Sequence, residues 1–72
     1  MVEIYKTDVN DARKANMLVQ KLSDRFPYYK VNFDLHDDDK ILRIDPGMQK
    51  INHAEVIDVV QHYHISILPF LD

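Results

Sequence analysis

The side chains with the most chemistry to offer are four histidines, His36, His53, His62 and His64, and four clustered aspartates, Asp34, Asp37, Asp38 and Asp39. Imidazole is a common ligand for borderline cations such as Zn(II) and Ni(II). His62 and His64 are separated by one residue and His36 adjoins Asp37, so these four are the candidate metal ligands. A closed site wants about four ligands brought together, and these residues fall on different parts of the chain. The competing reading is structural: a histidine near a helix C-terminus complements the helix dipole, and aspartates favour turns by bonding their own backbone. The aspartates also lack the spacing and the glycine of an EF-hand loop. Cysteine is absent, which excludes disulfides, thiolate metal centres and a thiol nucleophile. Ser23 and Ser66 have no His-plus-acid arrangement beyond His64 two residues before Ser66. The single glycine, Gly47, excludes glycine-rich phosphate cradles. No catalytic residue is assigned, no cofactor is expected, and the chain is read as a non-enzyme.

Seventy-two residues make one domain, 1–72. Hydrophobic residues form 46% of the chain, enough to argue against disorder. Nine Lys and Arg against twelve Asp and Glu leave a net charge of −3, without the basic excess of a nucleic-acid binder. No apolar run is long enough to span a bilayer and no leader pattern appears, so no membrane span and a cytoplasmic location are expected.

The elements follow from periodicity. Val2 to Thr7 reads as a strand; either of its faces could turn inward, and the aliphatic pair favours Val2 and Ile4. Asn10 is the expected N-cap of a helix from Asp11 to about Arg25, with Ala15, Leu18, Val19, Leu22 and Phe26 on its apolar stripe. Pro27 disfavours helical geometry at Phe26 and ends it. Tyr29, Val31, Phe33 and Leu35 alternate with polar residues in a half-buried strand, with Phe33 at its centre. After the turn His36–Asp39, Lys40 to Asp45 returns as a strand, with Leu42 and Ile44 inward and Ile41 and Arg43 opposite. Pro46-Gly47 suits the central pair of a type II turn. Asn52 and Glu55 resemble a capping box for a second helix, to about Tyr63, with Val56, Val59, Val60 and Tyr63 inward. Ile65 to Phe70 is a last strand that Pro69 confines to an edge.

Strand, helix, strand, strand, helix, strand is the order of an α+β ferredoxin-like βαββαβ sandwich. A right-handed crossover is expected to set the third strand beside and parallel to the first. The sheet is expected to be four-stranded and antiparallel, in order 4-1-3-2, with both helices on one face.

The segments V-E-I-Y-K-T-D-V-N, A-x-x-L-x-x-x-L, V-N-F-D-L…D-K-I-L-R-I and V-I-D-V-V cover nearly the whole chain and resemble a heavy-metal-associated (HMA) domain. The resemblance implies the same fold. In that family a Met-x-Cys-x-x-Cys motif at the first strand–helix junction carries soft metals. Here Val9 falls near the Met, and Asp11 and Lys14 near the two cysteines, so the loop is degenerate. Tyr63 and His64 stand where the family often has a glycine. Soft cations want sulfur, so the resemblance implies the scaffold without its cargo.

With helices on one side only, the other sheet face is left to act. Tyr28, Lys30, Asn32, Ile41 and Arg43 are the expected interaction surface. Tyr and Arg are enriched at protein interfaces. The expected role is a small non-catalytic HMA-like module that binds a protein partner or another copy of itself, by this face or by the edge strand Tyr29–Leu35. The alternative is a metal-handling protein using His and Asp ligands.

Overall fold

The computed structural model describes residues 1–70. Six elements follow in order: β1 (Glu3–Thr7), α1 (Ala12–Arg25), β2 (Lys30–Asp34), β3 (Ile41–Asp45), α2 (His53–His62) and β4 (Ile67–Pro69). The strands form one open antiparallel sheet in the order β2-β3-β1-β4. This is the expected α+β ferredoxin-like topology. One step of its derivation is corrected: β3 runs antiparallel to β1, and β2 is the strand parallel to it. The crossover through α1 skips one strand position, and the hairpin folds β3 back into the gap.

Both helices lay their apolar stripes on the same face. Leu18 and Leu22 of α1 and Val56 and Val60 of α2 meet Tyr5, Leu42 and Ile44 of the central strands, all sealed from water. Val31 and Phe33 of β2 pack against this cluster while remaining partly exposed, as an edge strand dictates.

The facing of β1 is the reverse of the expected one. Tyr5 is 0% exposed, whereas Val2 is 49% and Ile4 36% exposed. Tyr5 pairs with Leu42, which turns its ring toward the helices. A buried phenol needs a partner for its hydroxyl, and His53 Nδ1 lies 2.7 Å away at the start of α2. With that bond made, the ring is buried without leaving its hydroxyl unpaired.

The caps show how local chemistry sets the element ends. Asp11, not Asn10, caps α1: its carboxylate accepts from the Lys14 N–H at 2.9 Å. Asn52 caps α2 by accepting from the Glu55 N–H at 3.1 Å, as the sequence pattern predicts. The turn after β3 closes from the Gln49 N–H to the Pro46 carbonyl, so its central pair is Gly47-Met48, one residue beyond the expected one. Gly47 takes φ +67°, a conformation in which a side chain would be strained. In the β2–β3 connection Asp34 accepts from the His36 N–H and Asp37 from the Asp39 N–H. Lys40 takes φ 50°, and its ammonium donates to the Leu35 carbonyl at 3.2 Å.

Candidate functional site

The face of the sheet away from the helices follows from the register. β1 contributes Ile4 and Lys6, β3 Ile41, Arg43 and Asp45, β2 Lys30, Asn32 and Asp34, and β4 Leu68. The Phe70 N–H bonds to the Ile4 carbonyl at 2.8 Å, which holds Phe70 beside Ile4. Lys6 is central. Its ammonium lies 4.8 Å from the centre of the Phe70 ring and 3.8 Å from Asp39. Arg43 faces Asp34 at 3.7 Å. Between these side chains is a groove of about 320 Å³, lined by the apolar Val2, Ile4, Ile41 and Phe70 and by the charged Glu3, Asp37, Asp39 and Arg43. Glu3 shares the Tyr5 face of β1, and Lys6 and Arg43 each pair with a carboxylate, so among the described residues Asp37 is the groove carboxylate on this face with no ion pair.

Of the expected interaction surface, Lys30, Asn32 and Arg43 are on this face and reach solvent. Ile41 is on the face as well but is only 3% exposed. Its register neighbours, Lys6 on β1 and Asp34 on β2, flank it. Tyr28 is exposed in the turn before β2, outside the paired strand, because pairing starts at Lys30. Val2, Ile4, Lys6, Leu68 and Phe70 were not anticipated. The signal that finds them is the alternation around Tyr5: once that ring is inward, Ile4 and Lys6 must point out.

The histidines take separate places. Burial, with smaller contributions from the negative charge of Glu3 and from Tyr29, pushes the Tyr5 hydroxyl well above its ordinary pKa. The phenol therefore keeps its proton, and its 2.7 Å hydrogen bond to His53 Nδ1 takes its direction from the imidazole tautomer. His62 stands edge-on to Tyr63, with ring centres 5.1 Å apart, and lines a groove of about 480 Å³ between the helices with Lys21 and Arg25. His64 has φ 60° just past α2. His36 is exposed and lines a third groove, beside β2, while Asp37 is occupied in its turn. Among the described residues, no three His, Cys, Asp or Glu side chains come together as a metal ion would need. At the first strand–helix junction Asp11 serves as the α1 cap and accepts from the Lys14 N–H.

No helix among the described residues is long and apolar enough to cross a membrane. No protein-family model matches the chain, and no curated protein or solved structure matches it.

Proposed function

We propose that this chain is a non-catalytic binding module, an HMA-like scaffold without its thiolate pair, that takes a partner protein on the open face of its sheet. The observation that carries this reading is the groove in which Val2, Ile4 and Phe70 reach solvent beside the buried Ile41, bordered by Asp37 and Asp39. Exposed apolar side chains gathered in one patch and bordered by charge are the usual mark of a protein contact. Asp37, the carboxylate there with no ion pair among the described residues, selects the partner's chemistry. An aliphatic or aromatic side chain fills the groove, and a neighbouring Lys or Arg meets this carboxylate, since complementary charge steers and orients association.

The test is selection from a displayed random-peptide library, followed by titration of the best peptide into the isotope-labelled chain. The selected peptides should combine one bulky apolar residue with an adjacent basic one. The largest amide shifts should fall at Ile4, Ile41, Arg43 and Phe70. Val2→Glu and Asp37→Lys should each weaken binding by about tenfold, or ~1.4 kcal/mol. Peptides without the basic residue, or shifts confined to the two helices, would overturn the reading.

A further inference from the structure

The sheet has two outer strands of different character. β4 has three residues and ends on Pro69, which has no N–H to offer a neighbour. β2 has five, Lys30-Val31-Asn32-Phe33-Asp34, with neither proline nor glycine, and its outer side is uncovered. A groove of about 540 Å³ follows that edge, between Asn16 and Val19 of α1 on one side and Arg43 on the other. An uncovered edge of this length is a template for another strand.

The sequence of β2 reads as its own complement. In an antiparallel pair with a second copy, related by a twofold axis at Asn32, Lys30 lies opposite Asp34 of the other copy, and Asp34 opposite its Lys30. Directly opposed residues share a face. On the open face this gives two Lys–Asp pairs flanking an Asn–Asn pair. On the helix face it gives Val31 opposite Phe33 twice and, one step outward, Tyr29 opposite Leu35 twice. These four residue types are the apolar side chains of the edge that the monomer leaves partly exposed. Shifting the register by two residues either way, the smallest step that keeps the faces aligned, opposes Lys30 to Asn32 or to His36 and loses both ion pairs. Lys30 has no ion-pair partner among the described residues, and Asp34 has only the 3.7 Å contact with Arg43.

We infer that β2 pairs antiparallel with β2 of a second copy, in the register that sets Asn32 on the twofold axis and joins the two sheets into one of eight strands. This goes beyond the reading of the open face: that reading concerns a peptide partner in the Ile4–Phe70 groove, and self-pairing concerns an edge at the far side of β3. A chain that pairs this way presents two copies of the groove on one continuous face.

The experiment is sedimentation equilibrium of the full chain from micromolar to millimolar concentration, with far-UV circular dichroism to show that each variant is folded. The unaltered chain should show a monomer–dimer equilibrium. Lys30→Asp sets like charges opposite each other twice and should raise the dimer dissociation constant by about tenfold. The double variant K30D/D34K restores opposite charges and should return it to within about threefold of the original. A simple loss of fold would not be rescued in this way. The chain has no cysteine, so Asn32→Cys introduces its one thiol. Directly opposed strand residues have a Cα separation within disulfide range. Mild oxidation should therefore yield a covalent dimer of N32C, and not of Met48→Cys at the exposed turn. A chain that stays monomeric at millimolar concentration, or a dimer that resists K30D, overturns the inference. So does a dimer broken instead by Leu68→Glu, which marks the open face as the contact. If peptides bind the groove while the chain stays monomeric, self-pairing alone falls. If the dimer forms and no peptide is selected, the open-face reading alone falls.

Discussion

Beneath the helices, Tyr5, Leu42 and Ile44 are closed off from water, while Ile4 and Arg43, their neighbours in sequence, meet solvent on the other side of the same strands. The helix face is kept dry by two apolar stripes laid across it. The open face has no such layer, yet Ile41 there is as buried as a core residue. Lys6 and Asp34 lie on either side of it, with Asp39 tied to Lys6. Long charged side chains can lay their carbon stems over an apolar neighbour and keep their heads in water. One face is thus sealed by elements packed from a distance in sequence, and the other only in places, by its own side chains.

The largest expected effect separates the two faces. Leu42→Ala removes a fully buried side chain of the core on the helix face and should cost about 2–5 kcal/mol. Leu68→Ala, on the exposed edge of the open face, should change stability by less than ~0.5 kcal/mol. Urea denaturation midpoints measure both; equal losses would mean that the open face carries core packing too. Ile41→Ala falls between them, at about 2 kcal/mol, the low end for such truncations, because flexible side chains can settle into the space. A cost as large as that of Leu42→Ala would show that the roof over Ile41 is as rigid as a helix.

The sequence made the helix face largely legible. Leu18, Leu22, Val56 and Val60 recur at helical spacing, and Leu42 and Ile44 alternate against Ile41 and Arg43. Where it misled, the deciding contact was distant. Nothing near Tyr5 announces that His53, 48 positions later, stands ready to hydrogen-bond its hydroxyl. Without that partner, burying Val2 and Ile4 is the better choice, and the inversion of β1 then hid Ile4 and Lys6 from the expected surface. Phe33 faces the helices, as its alternation predicts. It is central in its own pattern, but β2 is an outer strand, so the ring is only partly covered. The capping slip from Asn10 to Asp11 is of another kind: two good caps in succession, and only backbone geometry chooses between them.

The burial of the Tyr5 hydroxyl should show itself in alkali. The Tyr5 hydroxyl has its pKa raised in the fold from an ordinary value of 10.0. A folded state that holds a proton the unfolded chain has released loses stability as pH rises. The contribution is whole below about pH 10 and declines above it, toward the elevated value, by at most ~1.4 kcal/mol per pH unit for one proton. Tyr5→Phe should cost about 1 kcal/mol at neutral pH, since His53 is exposed and its freed nitrogen finds water. The same variant should have a shallower decline above pH 10. Parallel alkaline slopes for the two proteins would mean that the phenol is not sealed on the helix face.

The smallest effect tests how the open face covers itself. Lys6 makes an ion pair with Asp39, a cation–π contact with Phe70 and a register pairing with Ile41. Both partners of the ion pair are roughly half exposed, so the charge contributes less than about 0.5 kcal/mol and fades with salt. If the stem is what shelters Ile41, Lys6→Met keeps the cover and discards the charge, and should stay within ~0.5 kcal/mol of the parent. Lys6→Ala removes both and should cost more, by a margin that persists in high salt, because apolar cover is not screened. Asp39→Asn removes only the pairing charge and should lose what little it costs once salt is added. Should Lys6→Met prove as damaging as Lys6→Ala, and high salt abolish both losses, then electrostatics rather than a carbon stem closes this face over Ile41.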